Sequence, residues 1–351
     1  MSTGIASIGV AVPPCSITQS QADSYIEKYY SNELHRRSLE IFHKVLRHPS
    51  IEKRHIAVEQ TDALPDLKNE DPDTRIERFI RWSRLLGGEA IRSALAKRNL
   101  ATTDIDALIV NTCTGYICPG LSTYLIEDLG LSSKIQAYDL VGTGCGGALP
   151  NLQLASQFCT SHPGSIAVSI SIEICTATFQ MGDDTSLIIS NSIFGDGAAA
   201  AVVWDRPAGV SLIASDQCFL PEFRNDVRYV HKGGQLHNKL SKRLPGIIGE
   251  HTAVLVKELL DKNNLSKDEI DHYFIHPGGD KVLDSCAASL RLDDEKMKMS
   301  RAILLEYGNM SSPTILFELD RMYDQIKKDQ WCLMLAFGAG MSIYGWLLKG
   351  N

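Results

Sequence analysis

The chain repeats itself once, at an offset of 165 residues, and no other feature of the sequence constrains the fold as much. Leu100-Ala-Thr-Thr-Asp-Ile-Asp-Ala-Leu-Ile-Val-Asn-Thr-Cys-Thr-Gly has its counterpart in Leu265-Ser-Lys-Asp-Glu-Ile-Asp-His-Tyr-Phe-Ile-His-Pro-Gly-Gly. Each segment has a helix-ending Leu, an acidic-Ile-Asp turn, and then a short apolar run that reads as a buried strand. At the same offset Tyr138-Asp-Leu-Val-Gly-Thr-Gly-Cys-Gly-Gly falls opposite Ile303-Leu-Leu-Glu-Tyr-Gly-Asn-Met-Ser-Ser. Ile166-Ala-Val-Ser-Ile-Ser likewise falls opposite Trp331-Cys-Leu-Met-Leu-Ala-Phe-Gly. Three units keeping one spacing mark a duplication.

Strands alternating with helices in each half imply right-handed crossovers and buried parallel sheets, an α/β fold. Apolar spacing predicts helices over residues 73–97, 148–159 and 312–327. Two such halves packed about a pseudo-twofold axis bring the ends of matching strands face to face, where ligands of open α/β sheets collect. A chain of 351 residues suits one two-lobed body, and the predicted halves are 1–208 and 209–351.

Composition narrows the function classes. Hydrophobic residues at 44% and charged residues at 22% exclude a disordered or fibrous chain. A net charge of -7 argues against a chain-wide nucleic-acid role but leaves room for a local basic patch on an anionic ligand. The first residues lack a basic, apolar leader, and no window reaches the roughly 18 apolar residues that span a bilayer, so a cytoplasmic protein without stable membrane insertion is expected. The nine cysteines are odd in number and form no C-x-x-C, which disfavours a disulfide framework and a metal site. Most then read as small buried hydrophobes, and the question is which one reacts.

Cys145 stands in Val141-Gly-Thr-Gly-Cys-Gly-Gly-Ala-Leu-Pro, between a predicted strand and a predicted helix. Glycines on both sides permit a sharp elbow that other residues would strain. The thiol then faces a helix start, where free N–H groups and the dipole favour the thiolate. Asn309, in Glu306-Tyr-Gly-Asn-Met-Ser-Ser-Pro, lies one residue from the position matching Cys145 in the repeat. Alone it could be a helix cap; its register opposite Cys145 makes it a candidate functional amide. His276 ends the strand His272-Tyr-Phe-Ile-His and is followed by Pro-Gly-Gly, a strand-end loop of the kind that carries catalytic groups. A thiolate, an imidazole and an amide at one point suit acyl transfer, with His and Asn supplying N–H donors to a thioester carbonyl that becomes an enolate. No carboxylate base stands among these elements, which favours loss of CO2 as the source of the carbanion.

Glu306-Tyr-Gly-Asn-Met-Ser-Ser, Phe194-Gly-Asp-Gly-Ala-Ala-Ala, Ile275-His-Pro-Gly-Gly and Phe337-Gly-Ala-Gly together resemble the signatures of chalcone and stilbene synthases and their bacterial relatives, the type III polyketide synthases. The resemblance covers essentially the whole chain. It implies a thiolase fold, a duplicated five-layered αβαβα architecture. It also implies a homodimer that takes acyl groups directly from coenzyme A, decarboxylates malonyl-CoA, extends the chain repeatedly on Cys145 and cyclises it. No cofactor beyond the acyl-CoA and malonyl-CoA substrates is implied. Phe194 matches a gating phenylalanine, and Thr178 and Ser311 fall at the substrate cavity. Lys44, Arg47 and His48 fall where relatives bind the coenzyme A phosphates, although a charge run is also simply a solvated face. Three departures stand out. Asn238 replaces the second gating phenylalanine, Cys113 and Thr114 replace a Thr-Ser pair, and Cys118 replaces a methionine that reaches the partner subunit's cavity. These changes argue against a phenylpropanoid starter and favour a fatty acyl starter giving pyrone or resorcinol-type products. The alternatives are a ketoacyl synthase III-like enzyme making one extension, and a non-catalytic thiolase-like subunit.

Overall fold

Along residues 331–338 alternate side chains enter different cores: Cys332, Met334 and Ala336 pack in one cluster, Leu333 and Leu335 in another. That period of two is the signature of a strand buried on both faces, and it explains why the run reads as continuously apolar. The structure, a computed structural model, describes residues 3–206 and 208–351.

In chain order the strands are β1 (Gly4–Ala11), β2 (Ser16–Thr18), β3 (Lys53–His55), β4 (Ala107–Thr112), β5 (Gln136–Val141), β6 (Ile166–Ile174), β7 (Asp196–Trp204), β8 (Val210–Phe219), β9 (Val227–Lys232), β10 (Gln235–Leu240), β11 (Ile270–Ile275), β12 (Trp331–Gly338) and β13 (Ser342–Gly350). The helices are α1 (Gln19–Tyr30), α2 (Arg36–Leu46), α3 (Pro72–Ala96), α4 (Leu121–Leu129), α5 (Ala148–Ser161), α6 (Thr185–Ile193), α7 (Leu244–Lys262), α8 (Asp280–Leu290), α9 (Asp294–Tyr307) and α10 (Thr314–Met322). The predicted helices over 73–97 and 148–159 match α3 and α5. The third stops earlier than predicted, at Met322, and continues only as a short 3-10 turn, Tyr323–Gln325.

The duplication is written into the topology. The large sheet runs β11-β12-β13-β8-β1-β7-β6-β4-β5. In the first half β4 is parallel to β6, then β6, β7 and β1 alternate antiparallel. In the second half β11 is parallel to β12, then β12, β13 and β8 alternate in the same way. The two halves join where Gly4 and Ile5 pair with Ser211 and Val210. The expected all-parallel sheets are therefore corrected to mixed ones, because β7 and β13 return antiparallel beside their predecessors, β13 after the short turn 339–341 and β7 after a connection that carries α6 but reverses the chain.

The cores fix five layers. Ala199, Ala201 and Val203 of β7 face inward onto α5 and α10, which lie between the two halves of the sheet and also receive Met334 and Trp346. Ala198, Ala200 and Val202 face outward onto α3, through Phe79, Leu86 and Ile91. Leu333, Leu335 and Leu347 face outward onto α7 and α8. A separate apolar cluster ties α1 and α2 together over the side that carries Phe194.

One matched unit differs. Residues 138–141 lie in β5, whereas Ile303-Leu-Leu continues α9 to Tyr307. Met297, Ser300, Ile303 and Leu304 are buried at helical spacing, so that apolar run is the inner face of a helix. Among the described residues the second half thus has no strand beyond β11.

Candidate active site

Cys145 sits in a single 3-10 turn, Gly144–Gly146, between β5 and α5. Gly142 and Gly144 both take positive φ, 86° and 63°. Gly144 is required twice over, because a Cβ there would stand 2.8 Å from the Ala339 nitrogen. The elbow of the first half is thus seated on the Gly338-Ala339-Gly340 loop of the second, and Ala339 N donates to Thr143 O at 3.0 Å.

Asn309 lies at the matching turn and is buried. Its side-chain oxygen accepts from Ser311 N at 2.7 Å, which orients the amide, and Nδ2 donates to Gly278 O at 3.3 Å. Asn309 and Ser311 also stand beside the Cys145 thiol, close enough to lower its pKa against the effect of burial. Gly278 N in turn donates to His276 O at 2.9 Å, so Asn309 touches both Cys145 and the turn that follows His276. His276 leaves the end of β11 with its N–H bonded to Leu335 O at 2.9 Å, and its ring is buried. Among the described residues neither ring nitrogen of His276 has a hydrogen-bond partner. A buried imidazole with two free nitrogens is costly unless something else is to occupy them.

Burial governs the charge states. It pushes the Cys145 thiol up to about 12, against the opposing effect of Ser311 and Asn309, and it pulls His276 down to about 3. The site therefore holds a thiol and a neutral imidazole at neutral pH. The expected thiolate is not favoured here, because a helix dipole is worth only about 0.3–1 kcal/mol at most sites, less than this desolvation.

A cavity of about 500 Å³ opens on Cys145, walled by Cys113, Phe194, Tyr229, Asn238 and Ser311. Asn238 and Tyr229 face each other across the β9–β10 hairpin. Tyr229 is buried beside Thr178, near the thiols of Cys113, Cys145 and Cys175, and burial raises its phenol well above the ordinary value. Thr178 lines a smaller apolar pocket of about 60 Å³ between α1, α2 and α6, which shares Phe194 with the main cavity. Thr114 lies behind the wall: its hydroxyl donates to Glu173 Oε2 at 2.9 Å and accepts from Ile174 N. Cys118 is exposed, outside its own chain's cavity. On α2 and just beyond, Arg47 pairs with Asp23 at 3.0 Å and His48 bonds Ser50 at 2.9 Å. Lys44 makes no ion pair among the described residues. Arg47 is itself exposed in its pair with Asp23, whereas Asp23 is largely buried.

Sequence reasoning missed Glu173. It is fully buried in β6 and accepts from Cys113 N at 3.0 Å, Cys113 Sγ at 3.3 Å, Thr114 Oγ1, and Ser312 Oγ at 2.6 Å. Burial holds its carboxyl above the ordinary glutamate value. An acid thus stands directly behind the cavity wall, contrary to the reading that none lies near the site. The signal was present as a lone charge within the apolar run Ile166–Ile174.

Residues 16–211 match the family described as FAE1/type III polyketide synthase-like protein, and residues 211–351 match the C-terminal domain of chalcone and stilbene synthases. A 1,3,6,8-tetrahydroxynaphthalene synthase of Streptomyces coelicolor is 31% identical over 85% of this chain and 80% of its own length. An alpha-pyrone synthesis polyketide synthase-like protein of Mycobacterium tuberculosis is 28% identical over 98% of this chain and 90% of its own. The crystal structure of PKS-I from the brown alga Ectocarpus siliculosus superposes with a TM-score of 0.92 at 25% identity, over 100% of this chain and 98% of that one.

Proposed function

The chain belongs to the type III polyketide synthase family, with a thiolase fold and malonyl-CoA-condensing acyltransferase chemistry, and on that premise we propose that Cys145, His276 and Asn309 perform the reaction. Residues 1–208 supply the nucleophile and residues 209–351 the imidazole and amide. The observation that carries the assignment is the buried His276 ring, both nitrogens unpartnered among the described residues, on a turn bonded to Asn309, which stands beside Cys145.

Cys145 passes its proton to His276 as sulfur attacks the acyl-CoA carbonyl, and the proton leaves with the coenzyme A thiol. Malonyl-CoA then loses CO2, and the enolate oxygen takes hydrogen bonds from the neutral His276 N–H and Asn309 Nδ2. Each such donor is worth about 2.7–4 kcal/mol of barrier. The carbanion attacks the Cys145 thioester, forming the carbon–carbon bond and expelling Cys145 as a thiolate, which can attack the extended acyl-CoA to reload. Lys44, Arg47 and His48 receive the coenzyme A phosphates, and no further cofactor enters this scheme.

The starter is a fatty acyl group, and the products are of the pyrone or resorcinol type. In support, the apolar pocket behind Phe194 is lined by Ile17, Ile26, Phe42 and Leu46, and each buried CH2 contributes about 0.8 kcal/mol. The similarity to an alpha-pyrone-forming relative points the same way. A second reading, a short starter, is favoured by Tyr229, whose bulk lines the main cavity opposite Asn238. Measuring kcat/KM across straight-chain acyl-CoAs from acetyl to palmitoyl decides. A rise with length supports the alkyl pocket, and a maximum at acetyl or malonyl overturns it.

The assembly is a homodimer. Edge strand β5 leaves Tyr138 and Val141 exposed, 46% and 54%, beside the loop that carries Cys118. An apolar, unpaired edge in a chain of this size calls for a partner, and a second copy supplies it by a twofold axis.

A further inference from the structure

The missing fifth strand of the second half leaves a gap that a buried carboxyl fills. In the first half β4 is flanked by β6 and β5. In the second half β11 has β12 on one side and, among the described residues, no strand on the other. Successive N–H groups of a strand point to opposite edges. His276 N bonds β12, so Ile275 N points to the open edge. There it donates to Glu318 Oε2 at 3.2 Å and to Ser300 Oγ at 3.1 Å, and Ser300 Oγ donates to Glu318 Oε2 at 2.5 Å.

Glu318 is fully buried on α10, and among the described residues its Oε1 has no partner. A carboxyl in such a place costs more than the leucine that would fill the same volume, unless it satisfies something the fold requires. What it satisfies is a backbone donor one residue before His276. Its other contact, Ser300, lies on α9, which runs through Gly308 into Asn309. Glu318 itself follows Asn309 on the next helix. One carboxyl therefore ties together the three elements that deliver the imidazole and the amide.

We propose that Glu318, with Ser300, is a positioning residue: it replaces the absent strand at the end of β11 and thereby fixes His276 relative to Asn309. This rests on the reading that those two residues stabilise the enolate. A displacement of about an ångström at such a pair costs up to about a hundredfold in rate.

The test is malonyl-CoA decarboxylation, followed as CO2 release well below the melting temperature. Glu318→Leu removes the acceptor, and Glu318→Gln keeps it. The Leu variant should lose about tenfold or more in kcat, with KM for malonyl-CoA and iodoacetamide capture of Cys145 each within about twofold of wild type. The Gln variant should recover to within about threefold. Wild-type kcat in Glu318→Leu, a loss carried equally by KM and Cys145 capture, or a Gln variant as slow as Leu would each overturn the proposal. Should Glu318→Leu not fold, Ser300→Ala decides on the same readouts: a kcat loss at constant KM supports the role, and an unchanged kcat removes it. A wild-type enzyme that does not decarboxylate malonyl-CoA would instead overturn the enolate reading, and this proposal with it.

Discussion

Phe194 and Asn309 are joined through the main chain: Asn309 N donates to Ile193 O at 2.9 Å, and Gly195 N donates to Asn309 O at 3.0 Å. The aromatic that separates the two cavities and the amide that faces Cys145 are thus set by one two-way bridge. The bridge needs Gly308, whose φ is 67° and whose Cβ would meet Ile193 O at 2.6 Å. Gly308→Ala should destabilise by about 1–3 kcal/mol and slow decarboxylation. A melting temperature and CO2 release equal to wild type would show that the bridge does not hold Asn309.

The nucleophile prediction concerns three cysteines. Cys145→Ala should abolish product, while Cys159→Ala and Cys286→Ala, both fully buried and away from the cavity, stay active. Cys145→Gln should still release CO2 from malonyl-CoA, because the enolate donors are intact. Removing His276 or Asn309 should slow that release by roughly 10²–10³-fold. Condensation by Cys145→Ala, read by mass spectrometry, would refute the assignment.

Thiol titration is a separate check. With the Cys145 thiol at about 12 and His276 at about 3, thiolate is scarce at neutral pH. Alkylation by iodoacetamide should climb about tenfold per pH unit through the alkaline range. A plateau beginning near neutrality would mean instead a resting thiolate–imidazolium pair.

Glu318 makes a stability prediction with a definite sign. Burial raises its carboxyl well above 4.5, so the folded state keeps a proton that the unfolded state has released. The stabilisation this gives is complete at pH below 4.5 and is lost as pH rises toward the folded value. Glu318→Gln does not titrate, so its melting temperature relative to wild type should increase from pH 4.5 upward. A difference independent of pH would show that Glu318 is ionised in the fold.

Dimerisation is checked at the exposed edge of β5. Wild type should sediment at twice the 38.6 kDa of one chain at micromolar concentration, and Val141→Lys should shift it toward the monomer. A wild-type monomer would remove the proposal.

Legibility followed the range of the physics. The glycine collar of Cys145 and the Pro-Gly-Gly after His276 were readable because backbone geometry at a turn depends on a few neighbouring residues. The run Ile303-Leu-Leu was misread as the partner of β5, because a short apolar segment fits a buried strand and one face of a helix equally well. Glu173 escaped because its six-donor surroundings come from segments near residues 112, 173 and 311, which no local pattern connects.

What the sequence by itself determined is the duplication, the alternation of strands and helices, and the two turns that carry Cys145 and Asn309, all of which follow from periodicity and turn chemistry along the chain. What only the tertiary structure decided is the protonation of the site, the place of Phe194 in the walls of both cavities, and the replacement of a strand by Glu318 and Ser300. Those depend on how much water is excluded, and on which backbone groups are left without a neighbour, once the two halves have closed on each other.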